Sequence, residues 1–252
     1  MNSRAAAAYL YQARVNREVL TALPPEFIPA TEAQAMQVQD EIARRLGAVA
    51  GWKVGAASPQ AEPNRAPIHA QTLFMQPSSL PASMFRYIGV EAELVYHFIN
   101  DLDPAQGPFS REQVLAAVGS VHAAIEIVDT RFEVWDSQPP LVQRVDQGNH
   151  GALAVGPALD NWRTMLPTEQ RIVLEINGEV VSDRIGGNSA GNPERLLVWL
   201  ANIGAVSLGG IKEGQVVTTG SCSGTVMVRA PVNVRAIYPG RGAFALRIEE
   251  NF

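Results

Sequence analysis

The sequence predicts an α+β fold in which helices come first and strands follow. Three observations predict it. Residues 3–46 carry two helical apolar patterns. From Trp52 onward, short alternating or continuous apolar runs dominate. Asn177-Gly178 lies between two alternating runs, the strongest short-range signal for a β-hairpin.

Taken in order, residues 3–20 are rich in alanine, with Leu10, Val15 and Leu20 on one side, and read as a helix that Pro24, Pro25 and Pro29 end. Thr31 with Gln34 is a capping box for a second helix along Ala33, Met36, Val38, Ile42 and Leu46, with Gly47 as its C-cap. Both helices are expected to pack on the main body or on a neighbouring subunit. Residues 51–58 read as a short strand in which Lys53 alternates with Trp52 and Val54, and residues 59–70 as a proline-rich loop. A strand follows at 89–95, then turns through 100–108. Ser110 caps a helix reaching about Val118, and a second apolar strand spans 122–129. Residues 145–157 are a polar loop entering a small-residue strand. Residues 171–183 are the hairpin, and 194–204 a helix after Asn192-Pro193. Residues 214–228 read as strand, Gly/Ser turn, strand, and 232–248 as further strands around Pro239-Gly240. The expected division is an N-terminal helical lobe with a short strand over 1–75 and a β domain over 76–252.

Composition narrows the function. The 252 residues carry a net charge of −5, which gives no basic footprint for nucleic acid. The apolar run at 5–10 is broken by Gln12, Arg14 and Arg17, too soon for a signal segment or membrane span, so a soluble cytoplasmic protein with no membrane partner is expected. Cys222 is the single cysteine. It excludes an internal disulfide and reads as a small apolar filler.

The chemistry begins at Glu91 and Glu93. Residues i and i+2 of a strand share a face, so the two carboxylates project side by side while Val90, Ala92 and Leu94 face the other way. Two like charges so placed must be solvated, protonated or bridged by a cation. Alone, such a pair is more commonly an ordinary exposed one. Glu126 changes the balance, because it stands between Ile125 and Ile127 and is costly to bury unpaired. Three carboxylates with no cysteine partner suit a hard cation such as Mg²⁺ or Mn²⁺. Asp129 competes with Glu126 for the third place, since three residues along a straight strand reverse the face.

Other residues carry weaker signals. Lys53 is the only lysine before position 212, although a solvated strand lysine is its ordinary reading. The turn Thr219–Thr225 offers hydroxyls and backbone N–H groups that can hold a carboxylate, although a tight turn is its ordinary reading. It is neither a Walker loop nor a nucleophile elbow. His69, His97, His122 and His150 show no metal-ligand spacing; His150 stands out by its place in the polar loop from Asp146 to Gly151.

The ordered series GWKVG at 51, GVEAEL at 89, AAIEIVDTRF at 123, DQGNHGALAVG at 146, INGEVV at 176 and EGQVVTTGSCSGTV at 213 resembles the fumarylacetoacetate hydrolase superfamily. More narrowly it resembles the 2-oxopent-4-enoate hydratase and 4-oxalocrotonate decarboxylase branch. The resemblance covers roughly residues 35–250. It implies a mixed β-roll behind the N-terminal helices, usually assembled into homo-oligomers. It also implies Mg²⁺ or Mn²⁺ held by Glu91, Glu93 and Glu126, with Lys53 beside the metal as the catalytic proton carrier with a lowered pKa. Thr219, Gly220, Ser221 and Gly224 are expected along the 2-oxo acid end of a small 2-oxo or 2-hydroxydienoic acid. His69, Asp146 and His150 complete the expected substrate contacts. The chain departs from the branch where an Asp-Tyr-Gly-like element is replaced by Glu62–His69, which puts Arg65 or His69 forward for a distal substrate group. The expected reaction is hydration of the dienoate. Decarboxylation of a 2-oxo dicarboxylate, acylpyruvate C–C hydrolysis and silent 2-oxo acid binding are the alternatives.

Overall fold

The N-terminal helices form where their caps place them. In the computed structural model, which describes residues 1–250, α1 (Ser3–Asn16) starts with the Asn2 side chain accepting from Ala5 N at 3.1 Å. It ends four residues before the expected Leu20, because Arg17 turns left-handed at φ 56°. In helix α2 (Glu32–Leu46) the expected Thr31 cap forms, its hydroxyl accepting from Gln34 N at 3.2 Å, but Gln34 Oε1 accepts from Ala30 N at 2.8 Å and not from the Thr31 amide, so only half of the expected box is present. Ala6, Ala7 and Leu10 of α1 and Val38 and Ile42 of α2 share an apolar cluster with Phe132, Val142 and Val145.

Thirteen strands follow: β1 (Val49–Gly55), β2 (Asn64–His69), β3 (Leu73–Met75), β4 (Ser79–Pro81), β5 (Gly89–Phe98), β6 (Val118–Val128), β7 (His150–Ala158), β8 (Arg171–Ile176), β9 (Glu179–Ile185), β10 (Val216–Ser221), β11 (Val226–Met227), β12 (Val232–Tyr238) and β13 (Gly242–Glu249). Short helices α3 (Arg111–Ala116), α4 (Pro140–Val145) and α5 (Glu194–Trp199) fill the connections. The larger sheet runs β2-β1-β10-β5-β6-β7-β3 with β11 added on β5, and the smaller runs β4-β13-β12-β8-β9. Parallel and antiparallel pairs mix in both. This is the α+β architecture with helices first that the sequence predicts.

Two local expectations are corrected. Residues 59–70 are not all loop, for Asn64–His69 pair antiparallel with β1. Pro67 is tolerated because β2 is the sheet's edge, where one side of the strand has no ladder partner. The expected helix to Val118 stops at Ala116, and its successor strand starts at Val118, earlier than 122. The hairpin forms as expected, with Asn177 and Gly178 at φ 52° and 85°.

The larger sheet has two faces of different chemistry. Val90, Ala92 and Leu94 of β5 and Ile125 and Ile127 of β6 bury into the main core together with Leu174, Val234 and Leu246 of the smaller sheet. Alternation then sends Glu91, Glu93 and Glu126 to the other face. Packing between the sheets thus decides which way the acids point.

Candidate metal and active site

Strands β5 and β6 are antiparallel with Glu91 directly opposite Glu126. Glu93 follows on the same face of β5. Carboxylate oxygens of the three acids lie within 4.8 Å of one another. Of the three ways such acids can coexist, solvation is excluded for two of them, because Glu93 and Glu126 are fully buried.

Each acid is held by one oxygen. Glu126 Oε1 accepts from Lys53 Nζ at 2.7 Å and from His150 Nδ1 at 2.9 Å. Glu93 Oε2 accepts from the Thr218 hydroxyl and from Gly220 N at 3.1 Å. Glu91 Oε1 accepts from the Thr225 hydroxyl. The remaining oxygens of the two buried acids, Glu93 Oε1 and Glu126 Oε2, have no hydrogen-bond partner. Orphaned buried carboxylate oxygens are costly, and a set of converging oxygens is what a hard divalent cation takes. The residues therefore fit such a cation: three carboxylates face one ammonium, leaving a deficit of two positive charges.

The strand order assembles these groups. β1, β10, β5, β6 and β7 are successive neighbours and supply Lys53, Thr218 with Gly220, Glu91 with Glu93, Glu126, and His150. An irregularity in the β10–β5 register between Thr218 and Ser221 brings both the Thr218 hydroxyl and the Gly220 amide onto one oxygen of Glu93. Lys53 also donates to Gly148 O at 2.9 Å, and Gly148 is left-handed at φ 60°.

The electrostatics follow from burial. Burial raises the Glu93 carboxyl well above the ordinary range, and Glu126 and Glu91 add to the rise. Burial and Glu126 likewise raise Glu91. Burial would raise Glu126 too, but Lys53 and His150 outweigh it and hold its carboxyl down at about 2. Burial draws His150 down to about 4. A neutral His150 facing an ionised Glu126 must carry its proton on Nδ1, which leaves Nε2 to accept from the Thr72 hydroxyl at 3.0 Å. The expected lowered pKa of Lys53 is corrected: burial pulls it down, but Glu126, Glu93 and Glu91 together raise it above the ordinary lysine value.

A cavity of about 270 Å³ opens over this cluster, lined by Lys53, Glu91, Glu93, Glu126, Arg144 and Gly220 among others. A second space of about 430 Å³ shares Lys53, Glu91 and Gly148 with it and adds Trp135, Asn149, Thr225 and Met227.

The family profile described as fumarylacetoacetate (FAA) hydrolase C-terminal matches residues 48–245. The chain belongs to the fumarylacetoacetate hydrolase family. Members similar to it over most of its length include a 2-keto-4-pentenoate hydratase of Burkholderia vietnamiensis, 28% identical over 85% of this chain and 84% of that one. A 4-oxalocrotonate decarboxylase of a Pseudomonas species is 27% identical over 94% of this chain and 92% of that one. Among solved structures, a 4-oxalocrotonate decarboxylase from Pseudomonas putida, complexed with magnesium and adipate, shares the fold with a TM-score of 0.85. It is 24% identical, covering 98% of this chain and 97% of that chain.

Within this member of the fumarylacetoacetate hydrolase family, the other expected residues divide. Gly220 lines the cavity. Ser221 pairs with Glu93 in the β10–β5 ladder, and its buried Oγ lacks a partner. Thr219 points elsewhere, its hydroxyl donating to Leu94 O at 3.3 Å. Gly224 sits in the turn before β11 at φ 77°, next to the Arg184 guanidinium. His150 does not line either space, and instead holds Glu126 from behind. His69 lies outside both spaces, buried with Nδ1 3.1 Å from Ala48 O, because the β2 edge turns it away. Asp146 is likewise outside, paired with Arg131 and accepting from Thr130 Oγ1 at 2.8 Å. Arg65 reaches the cavity wall, but its guanidinium is taken by Asp40, Gln39 and Gly204 O. Asp129 accepts from the backbone N–H groups of Arg86, Tyr87 and Thr130, so the third acid of the cluster is Glu126.

Sequence reasoning missed Thr218 and Arg144, and placed Thr225 in a carboxylate-holding turn without assigning it to Glu91. For Thr218 the sequence carries half a signal: alternation in β10 sends Thr218 and Thr219 to opposite faces, but it does not say which strand lies beside them. Arg144 carries no local signal, because a short helix in a loop region places it.

Proposed function

We propose that the protein is a divalent-cation-dependent lyase that adds water to a short 2-hydroxy-2,4-dienoate. The observation that carries this reading is the arrangement in which protein donors hold one oxygen of Glu93 and Glu126 while the other is buried without a partner. Glu91, Glu93 and Glu126 would hold Mg²⁺ or Mn²⁺. Bound there, the ion supplies a Lewis acid for the carboxylate and C2 oxygen of a 2-oxo acid. Lys53 lines the cavity and is the residue placed to move a proton, its ammonium steadied by Glu126 and Gly148 O. Gly220, which lines the cavity, marks the end suited to the 2-oxo acid group. The relatives named as hydratases support this choice.

Arg144 favours a second reading. Arg144 lines the cavity, its buried Nε has no hydrogen-bond partner, and the acid paired with it, Glu32, is 3.7 Å away. A cation so placed suits a second carboxylate, and hence decarboxylation of a 2-oxo dicarboxylate.

The test is incubation of the Mg²⁺-loaded protein with 2-hydroxypenta-2,4-dienoate and, separately, 4-oxalocrotonate, following ultraviolet absorbance and CO₂. Loss of the dienoate without CO₂ is the expected result. CO₂ release from the dicarboxylate alone selects the second reading. Turnover of neither, or turnover unaffected by chelation, sinks both.

We also propose assembly into a homo-oligomer. The support is β9, an edge strand that exposes Val180, Val181 and Ile185. Sedimentation of a single-chain mass at micromolar concentration would contradict it. Among the described residues, no helix is long and apolar enough to cross a membrane.

A further inference from the structure

A third cavity, of about 410 Å³, lies apart from the metal cluster. It is bounded by the end of α1, the residues following β2 and the segment leaving β6. Four arginines line it, Arg14, Arg17, Arg86 and Arg131, against two acids, Glu18 and Asp129. In a chain of net charge −5 this concentration of cations is a local inversion.

Most of these groups are engaged. Arg17 donates to Ser83 O at 3.1 Å and Arg86 to Phe132 O at 3.0 Å. Arg131 is bound to Asp146 and donates to His150 O at 2.9 Å. Asp129 is spent on three backbone amides, and Glu18 accepts from Asn16 Nδ2 at 2.9 Å. Arg14 differs. Among the described residues its guanidinium makes no hydrogen bond and no ion pair, although the side chain is partly buried. Burial and the nearby Arg131 pull its pKa down to about 10, against the partial opposing pull of Asp146 and Asp129. A guanidinium presents five donors in a fixed fork, and a partly buried one that no protein acceptor occupies is free to take an oxyanion.

We infer that this cavity is an anion-binding site in which Arg14 receives the carboxylate or phosphate oxyanion of a small metabolite, with Arg17 and Arg86 along its walls. The inference does not depend on the reaction at the metal cluster. It has a neighbour there, however: Thr72 lines this cavity and touches His150, which in turn holds Glu126.

The test is calorimetric titration of the full chain with inorganic phosphate and, separately, succinate, at fixed ionic strength so that general screening is constant. Saturable binding of one of the two is expected, and which one binds distinguishes the phosphate from the carboxylate source. Arg14→Met should weaken it about tenfold or more, the loss of a charge-assisted bond. Arg14→Lys should weaken it less. Glu93→Gln, which disables the metal cluster, should leave it intact. In anion-free buffer Arg14→Met should melt close to the wild type, because the guanidinium makes no hydrogen bond or ion pair within the described residues. Absence of saturable binding, equal binding by Arg14→Met, or loss of binding in Glu93→Gln overturns the inference. So does dissociation of an oligomer by Arg14→Met, which would assign the guanidinium to an acid of a second copy.

Discussion

Lys53 Nζ lies 2.7 Å from Glu126 Oε1, although two strands separate β1 from β6. A flat sheet would hold those strands roughly 14 Å apart. The contact closes because the sheet curls and the lysine reaches across its concave face. Lys53 thus occupies the cluster as a built-in cation, and a divalent ion must share Glu126 with it.

Replacing Lys53 by Met should therefore separate binding from chemistry. Mg²⁺ or Mn²⁺ should bind at least as tightly, since a competing charge is gone, while kcat falls by roughly a hundredfold or more, the scale of a lost proton carrier. Calorimetry and steady-state kinetics measure the two. Unchanged kcat would reduce Lys53 to a structural counter-charge.

The Thr218 hydroxyl fixes one oxygen of Glu93 and so aims the other. Thr218→Val should lower metal affinity by about 10–100-fold with little change in melting temperature. Thr219→Val is the control, because that hydroxyl bonds to Leu94 O instead. Equal effects of the two would refute the aiming role.

Arg144→Met tests the second carboxylate. KM for a 2-oxo dicarboxylate should rise about tenfold or more, while KM for a monocarboxylic dienoate holds. A parallel rise for both substrates would mean that Arg144 shapes the cavity without reading charge.

Arg65 ties β2 to α2 through a buried pair with Asp40; its own side chain is fully enclosed and that of Asp40 is 8% exposed. Arg65→Met should destabilise the protein by about 3–5 kcal/mol, because it strands a buried carboxylate. Adding Asp40→Leu should recover much of the loss, measured by urea unfolding. No recovery would place the cost in packing alone.

Cys222 is buried, and burial followed by Glu93 pushes its thiol up to about 12 from an ordinary value near 9. The unfolded chain ionises first, so this contribution to stability is fully present below pH 9 and is lost as pH rises toward 12. At pH 8 a disulfide reagent should label the native protein far more slowly than the urea-unfolded chain. Labelling at the unfolded rate would show that the site is open.

The sequence by itself determined the α+β order, the Thr31 and Ser110 caps, the Asn177-Gly178 hairpin and the shared face of Glu91 and Glu93. All of these are set by neighbours within a few residues, through capping geometry, turn preferences and the two-residue period of a strand. That period assigns a residue to a face but says nothing about which strands become neighbours. Only the tertiary structure decided that β10 would lie between β1 and β5, bringing Thr218 to Glu93 and Lys53 within reach of Glu126. It also decided that His69 and Asp146 would lie outside the cavity while Arg144 lines it. Those outcomes come from burying the apolar faces of two sheets and two helices against one another, a condition on the whole chain that no short segment contains.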